Sequence, residues 1–456
     1  MDKKFKKVLF IFRRDLRIQD NTALFNATNL AESVLPVFIF DPRQTQTHDY
    51  FSETGFNFLL QALHDLDQEL RDNKSELLFL KGFPHVVLEE VIKKEKIDAI
   101  FFNLDYTPFS RERDKQIELL CKKVGVELQV CHDLLLAAPS TVLKSDRTPY
   151  QIYTPFYRAA SKLPVCKSNK IGNFEFDQYS SSFQSKVKLN HFLKFNPKEK
   201  SLRSEALRVF KNLTNFKDYA AQRDIPSLDS TTRLSVHNKF GTISVREFYH
   251  SVADSLGKEH VLIKELYWRD FFTHIGFHFP HVYTGAFHRK YDKIKWQNNR
   301  DHFSAWCLGQ TGFPIVDAGM RELNQTGFMH NRVRMVVASF LTKDLHLDWH
   351  WGEKYFAQKL IDYDPAVNNG NWQWAASTGC DAQPYFRIFN PWMQQERFDP
   401  NSEYIKRWVP ELKNLSPKEI NILSKSQTLS LFGYPAPMVD HSVAKIDAEE
   451  MYRAVG

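Results

Sequence analysis

Five short strand-like runs recur across the first part of the chain: Val8–Phe12, Val34–Phe40, Leu77–Leu80, Ala99–Asn103 and Glu127–Val130. Each interval between them carries helical spacing. Asp20–Ala31 reads as one helix. Ser52 reads as the N-cap of a second, in which Phe56, Leu59, Leu60, Leu63, Leu66 and Leu70 share a face. Val86–Lys94 and Arg113–Lys123 read as two more, the last ending near Gly125. Strands that alternate with helices of this length imply a parallel sheet covered on both faces. The expected fold class is therefore an α/β N-terminal domain with a doubly wound parallel sheet, over residues 1–135.

Residues 136–205 read as a polar connector between domains, with Ser180–Ser182 and many lysines near its end. From about 206 to 456 the β-branched runs disappear and helical periodicity takes over. Val261, Leu262, Leu266 and Phe272 show it, as do Val333, Val336, Val337 and Phe340. An all-α C-terminal domain is expected there. All nine tryptophans lie at or after Trp268.

Composition removes several classes. Apolar residues at 43% and charged residues at 25% exclude a mainly disordered chain. No run approaches the roughly 18 apolar residues of a membrane helix, and the basic N-terminus does not read as a secretory signal. The five cysteines are scattered, with no CxxC pair, which argues against a zinc site and for reduced thiols in the cytoplasm. A net charge of +7 permits a polyanionic partner without requiring one.

Three stretches carry chemistry. In Asp362–Pro400, amides, tryptophans and arginines crowd together, and polar amides among buried aromatics are costly unless something satisfies them. Singly, each residue also suits a turn between helices. In Glu265–Phe272, the residues Glu265, Trp268, Arg269 and Phe272 share a helical face. Taken alone, that face also suits a core tryptophan beside a Glu265–Arg269 ion pair. In Met329–Met335, Arg332 and Arg334 point to different faces. A buried arginine needs a carboxylate partner, for which Asp362 and Asp364 are candidates.

With these stretches in view, the chain resembles the photolyase/cryptochrome family, most closely its class I cyclobutane pyrimidine dimer photolyases. The resemblance runs over almost the whole length. It covers FRRDLRIQDNTAL (Phe12–Leu24), Tyr219, Arg223, TTRLS (Thr231–Ser235), ELYWRDFF, TGFPIVDAGMREL, MHNRVRM and NNGNWQWAASTGCDAQPYFRIFNP. It implies a helical domain that holds FAD, reduced and anionic in the active state. Tyr219, Thr231, Thr232, Arg233, Leu234 and Ser235 match the loop around the flavin phosphates. Asp362 and Asp364 match the carboxylates beside the flavin ring and ribose, Arg334 the buried partner of Asp362, and Asn368 the amide facing flavin N5.

The resemblance also implies the substrate, DNA containing pyrimidine dimers. Trp268 and Trp374 match the indoles that hold a flipped-out dimer, Glu265 and Asn331 the groups that hydrogen-bond it, and Met335 a thioether packed against it. Arg223, Arg269, Arg332 and Gln394 match DNA-contacting positions. Trp296, Trp349 and Trp372 match an electron relay, with Trp296 outermost. Core packing is the plainer expectation for Trp306, Trp351 and Trp408. The implied reaction is light-driven electron transfer from the reduced flavin to the dimer, by a protein expected to act as a monomer away from membranes.

Val236 stands where the family's flavin loop has proline. Phe109-Ser110 stands where folate-binding relatives carry an Asn-Glu pair. That place, with Lys239-Phe240-Gly241, is similar to deazaflavin-binding members. The expected antenna is 8-hydroxydeazaflavin, ahead of folate or FMN, with contacts from Arg13, Asp105 and Lys239. The main alternative function is a cryptochrome-type blue-light photoreceptor without repair. The intact set Glu265, Trp268, Asn331, Met335 and Trp374 weighs against it. A (6-4) enzyme, which uses a histidine pair in the pocket, is disfavoured by Asn331 and Met335. The WQWAASTG segment disfavours the DASH type.

Overall fold

A computed structural model describes residues 3–455, apart from 170, 173, 175, 178–182, 185, 193–196, 199, 383, 385–386 and 424–432. Ser180–Ser182 of the connector therefore lie outside the described residues, as do Gln383, Tyr385 and Phe386 of the last long motif. By internal contacts the chain forms two compact units. The first comprises Met1–Tyr150, Thr154–Asn215 and Thr232–His278; the second comprises Gln151–Tyr153, Phe216–Thr231 and Phe279–Gly456.

The first unit is built on five parallel strands: β1 (Phe5–Phe12), β2 (Ala31–Phe40), β3 (Leu78–Lys81), β4 (Ala99–Asn103) and β5 (Glu127–Cys131). Their order is β3-β2-β1-β4-β5, with Val8 of β1 level with Val34 of β2 and Ala99 of β4. The chain first winds one way from β1 and then returns to its other side, which is the doubly wound pattern. Successive side chains of β1 alternate between two cores, as the period of a strand requires. Phe10 and Phe12 join the layer of α1 (Thr22–Leu30) and α2 (Glu53–Asp72). Leu9 and Ile11 join the layer of α3 (Pro84–Glu95) and α4 (Pro108–Val124).

Local signals set the helix ends. Ser52 accepts a hydrogen bond from the Gly55 amide at the start of α2. Thr107 and Pro108 open α4, and Gly125, at φ 73°, closes it in the left-handed conformation that glycine adopts without penalty.

Three helices from later in the chain belong to this same unit: α5 (Ser235–Phe240), α6 (Val245–Leu256) and α7 (Val261–His278). A buried ion cluster fixes α6. Arg246 of α6 reaches Asp133 at 2.7 Å and Asp20 at 3.1 Å, and Arg17 reaches Asp133 at 2.5 Å. Gly241 follows α5 at φ 69°, where a Cβ would stand 2.0 Å from the Arg14 carbonyl oxygen. Only glycine lets the two backbones approach that closely.

Helices are the regular secondary structure of the second unit among its described residues. Its main elements are α8 (Arg300–Leu308), α9 (Pro314–Thr326), α10 (Asn331–Ser339), α11 (Trp349–Lys359), α12 (Pro365–Ala375), α13 (Pro391–Phe398) and α14 (His441–Arg453). They enclose one core around Trp306, Phe313, Met320, Val337, Phe340 and Phe356. Directly after α10 the chain loosens into a π-helical stretch, Phe340–Asp344. No helix among the described residues is long and apolar enough to cross a membrane.

Candidate active site

In the first unit, α7 presents the expected face. Trp268 is half-buried and stacks on Phe272, with ring centres 5.6 Å apart and planes at 28°. Phe271 meets it edge-on at 5.8 Å. These two contacts hold the indole plane. Glu265 is half-exposed one turn earlier. Arg269 donates to the Leu134 carbonyl at 2.7 Å, with its side chain only 13% exposed. Next to it, Asp270 is buried and accepts the Leu136 and Ala137 amides at 2.9 and 3.2 Å. Burial pushes this carboxyl up to about 7, against the opposing pull of Arg269 and the two amides.

The expected antenna residues sit where the strand order reverses, Arg13 just past β1 and Asp105 just past β4. This switch point is the usual ligand crevice of an open α/β sheet. Arg13 lies 3.7 Å over the Phe102 ring and bonds Asp114 at 2.8 Å. Arg113 shares the same Asp114 oxygen at 3.0 Å. Two guanidiniums thus compete for one carboxylate. Burial, and then the charge of Arg113, push the Arg13 guanidinium down to about 10.

Asp105 accepts Arg14 Nη1 at 3.3 Å and Ser110 Oγ at 3.0 Å, while Arg14 Nε donates to the Lys239 carbonyl at 3.1 Å. Arg14 therefore ties Asp105 to Lys239. A groove of about 710 Å3 opens between α4 and the edge strand β5, with Asp105, Asp114, Phe102 and His132 in its lining. The sequence reading omitted Arg14, Arg113 and Asp114. The doubled arginine of FRRD was the available signal for the first.

In the second unit, the N-terminus of α10 gathers substrate-type groups. His330 caps it, accepting the Arg332 amide at 3.3 Å. The Asn331 amide nitrogen contacts Met335 Sδ at 3.8 Å, one turn on. Arg332 pairs with Asp224 at 2.9 Å and lies 4.3 Å over Phe398. Arg223 stands 5.7 Å over the ring of Tyr219, which is buried. Gln394 is half-buried on α13.

Arg334, on the other face of α10, bonds Asp362 at 3.1 Å and the Met329 carbonyl at 2.7 Å. Of the two candidate carboxylates Asp362 is thus the arginine's partner. Asp364 instead caps α12, accepting Ala366 and Val367 amides at 3.0 and 3.2 Å.

Asn368 is buried on α12 and donates to both the carbonyl and the carboxylate of Glu353, at 3.1 and 2.9 Å. With those N–H groups committed, the amide has its carbonyl oxygen left to offer. Glu353 was also missed: nothing in its local sequence marks it, because its role depends on a residue on another helix.

Of the tryptophans, Trp349 and Trp372 are each 2% exposed, while Trp296 and Trp374 are half-buried. Trp349 stacks on His350 at 3.8 Å, and Trp296 meets Tyr452 edge-on at 6.2 Å. Trp372 packs on Phe356 at 5.0 Å, and a Cβ at Gly352 would come within 2.1 Å of its ring. Trp306 is fully buried in the core, its N–H donated to the Val337 carbonyl.

The residues expected around the flavin phosphates divide between the units. Thr231 ends a segment of the second; Thr232, Arg233, Leu234 and Ser235 belong to the first. Arg233 is left-handed at φ 53°, and Thr232 Oγ1 accepts the Leu234 amide at 3.4 Å. In the second unit Asp362, Asp364 and the Asn368 carbonyl oxygen are hydrogen-bond acceptors. That chemistry fits the N–H edge and ribityl hydroxyls of a reduced flavin.

Comparison with known proteins agrees with this chemistry. Residues 262–454 match the family model for the FAD binding domain of DNA photolyase, and residues 8–170 match the model for DNA photolyase. A deoxyribodipyrimidine photo-lyase of a Synechococcus species is 35% identical over 467 residues, spanning 98% of this chain and 96% of that protein. The crystal structure of an archaeal photolyase from Sulfolobus tokodaii, with two FAD molecules, is 42% identical. It covers 98% of this chain and all of its own, with a TM-score of 0.86. A Synechocystis cryptochrome structure is 29% identical, covers 99% of this chain and all of its own, and has a TM-score of 0.85. Fold and site thus define a flavoprotein with an α/β unit and a helical FAD-binding unit. The chain belongs to the DNA photolyase family.

Proposed function

We propose that this chain is a deoxyribodipyrimidine photo-lyase that splits cyclobutane pyrimidine dimers in DNA under near-ultraviolet to blue light. The observation that carries the reading is the Asn331–Met335 contact at the start of α10. It joins an amide able to hydrogen-bond a thymine edge to a thioether able to pack against the dimer. A photoreceptor has no need to retain that pair in a chain that also keeps Glu265, Trp268 and Trp374, so the cryptochrome alternative is less well supported.

Each residue has a role in this reading. Trp268 and Trp374 stack against the extruded dimer. Glu265 and Asn331 bond its carbonyl and imide groups, and Glu265 steadies charge that develops on it. Reduced FAD, when bound, supplies the photoexcited electron that opens the cyclobutane ring. Arg334, Asp362, Asp364 and Asn368 hold the flavin's ring and ribose, with Tyr219 and Thr231–Ser235 at its phosphates. Glu353 keeps the Asn368 carbonyl oxygen turned outward. Arg223, Arg269, Arg332 and Gln394 contact the DNA, and Arg332 exchanges Asp224 for a phosphate as it does so. The protein acts as a monomer in the cytoplasm; its five free cysteines suit a reducing compartment.

The test is recovery of base absorbance in an oligonucleotide with one thymine dimer, using purified reduced protein, in light and in darkness. Light-dependent recovery is expected. Its absence with reduced FAD present would transfer the assignment to a photoreceptor or to another lesion. Trp296→Phe should slow photoreduction of the oxidised flavin by at least about tenfold while pre-reduced enzyme repairs normally, since the relay serves activation and not the repair step. Loss of repair by the pre-reduced variant would contradict the relay.

The antenna in this reading is 8-hydroxydeazaflavin at the switch point, held by Arg13, Asp105 and Lys239. The paired buried guanidiniums of Arg13 and Arg113 suit an anionic chromophore. The second FAD of the Sulfolobus photolyase is the closest competitor, ahead of folate and FMN. Lys239→Ala should lower antenna occupancy severalfold, measured from the absorbance of released chromophore, with FAD content unchanged. Folate at undiminished occupancy in that variant would remove the assignment.

A further inference from the structure

Lys343 lies in the π-helical stretch Phe340–Asp344 and is 1% exposed. Such stretches concentrate at functional sites. Burying an ammonium without a counter-charge is costly, so a lysine here calls for a reason. Among the described residues no carboxylate pairs with it. Its Nζ donates to Ser377 Oγ at 2.8 Å and stands 3.9 Å from the centre of the Tyr452 ring. The adjacent Asp344 is taken by His441 Nδ1 at 2.5 Å.

Tyr452 is itself 1% exposed and donates its hydroxyl to the Ala376 carbonyl. Its ring meets Tyr291 at 5.8 Å and Trp296 at 6.2 Å. The buried amine is thus within about 10 Å of the indole expected to end the electron relay. Ser377, its hydrogen-bond partner, comes just after α12, the helix of Trp372 and Trp374.

We propose that Lys343 controls the outer end of the relay: its neutral amine lets an electron hole rest on Trp296, and its ammonium drives the hole back inward. The inference rests on the relay reading of Trp296, Trp349 and Trp372. The hole is one electron lost by Trp296, which passes inward through Trp349 and Trp372 and leaves the oxidised flavin one electron richer. No covalent bond changes. Lys343 exchanges only its own proton, with solvent. A unit charge at this distance in a protein interior changes the equilibrium on the order of tenfold. Burial brings the Lys343 ammonium down to about 7, so both forms are available near neutrality.

Other titratable groups stand nearby. Tyr452 is held well above its usual range by burial, so it stays neutral. Asp344, raised by burial and drawn back by its bond to His441, lies on the same segment. His346 bonds the Ala444 carbonyl at 2.9 Å and Gln297 at 3.1 Å, and Asp348 acts on Tyr452 through its charge. Replacing Lys343 alone separates its contribution from theirs.

The experiment is flash excitation of holoprotein with oxidised FAD, following the tryptophan radical by transient absorption from pH 6 to 9. In the wild type the radical lifetime should lengthen roughly tenfold as pH rises through neutrality. Lys343→Met should give the long lifetime at every pH, and Lys343→Arg the short one. Side-chain 15N resonances of Lys343 should titrate with the same midpoint, a readout that needs no light. If Lys343→Met does not fold, Ser377→Ala substitutes for it. Loss of that acceptor should move the midpoint to lower pH, and an unmoved midpoint overturns the proposal. So does a wild-type pH profile in Lys343→Met when Trp296→Phe removes the radical. If Trp296→Phe leaves the radical intact, the relay reading itself fails and takes this inference with it.

Discussion

Arg246→Met should destabilise the first unit by about 3–5 kcal/mol, the usual cost of stripping one partner from a buried ion cluster. The Arg246 guanidinium serves two carboxylates and two carbonyls at once. It reaches Asp133 Oδ1 at 2.7 Å, Asp20 Oδ1 at 3.1 Å and the Asp20 carbonyl at 2.8 Å. The side chains of Asp20 and Asp133 are 0% and 2% exposed, so neither can turn to water. Methionine would leave Asp133 to Arg17 and take the guanidinium away from the buried Asp20 carboxylate.

The pH dependence gives a second check. Burial by itself would raise the Asp133 carboxyl, but Arg17 and Arg246 hold it well below its ordinary value. A depressed carboxyl contributes stability above its unfolded pKa and loses it as pH falls through the folded one. In the wild type that loss therefore comes only in strong acid. In the variant Asp133 has only Arg17 to oppose its burial, so its carboxyl lies higher than in the wild type and part of the lost stability should return between about pH 7 and pH 5. Denaturant midpoints at the two pH values measure this. Arg71→Met is the control. Its pairs with Asp67 and Glu76 are half in solvent, at 49% exposure of the arginine, and should cost less than about 1 kcal/mol. Equal effects from the two substitutions would show that the cluster does not anchor α6.

Those same residues mark what the sequence could and could not tell. The five strands were legible because strands buried on both faces of a parallel sheet leave short, dense apolar runs. Arg13 and Asp105 were named by the family resemblance, and the strand order that puts them at the switch point is seen only in the structure. What periodicity cannot give is a partner. Arg246 and Asp20 are 226 positions apart, and nothing local in either predicts the other. For the same reason the packing of α5, α6 and α7 with the sheet-bearing unit was not legible.

The residues alone showed the need of Arg334 for a carboxylate but not which one, and it was the family resemblance that named Asp362. The choice between Asp362 and Asp364 was within reach, since an Asp directly before a proline is a helix-start signature. Asp364 spends its oxygen on the helix cap, which leaves Asp362 for the arginine. Lys343 stands next to Asp344 in the sequence, where an adjacent pair of opposite charges gives no sign of burial. It carried no motif, and only the contacts with Ser377 and Tyr452 give it meaning.

Trp268→Ala should weaken binding of dimer-containing DNA by roughly 5- to 150-fold, because base stacking on an aromatic side chain contributes about 1–3 kcal/mol. The indole is suited to this because Phe272 lies against it at 5.6 Å and Phe271 closes its edge at 5.8 Å. A ring fixed in this way loses little freedom when a base stacks on it. Trp268→Phe keeps an aromatic surface and should recover most of the affinity.

Undamaged DNA separates recognition from general damage to the fold. It presents no extruded dimer and binds through phosphates alone, so Trp268→Ala should leave its affinity and salt dependence unchanged. Arg332→Ala should do the reverse. It should weaken both DNAs and lower the salt slope by about one unit, since one phosphate contact is lost. Equal losses on damaged and undamaged DNA in Trp268→Ala would mean that the indole supports α7 and does not meet the dimer. No loss on either would remove Trp268 from the pocket. A loss confined to damaged DNA, with the salt slope intact, would locate dimer recognition on the α7 face that carries both Glu265 and Trp268.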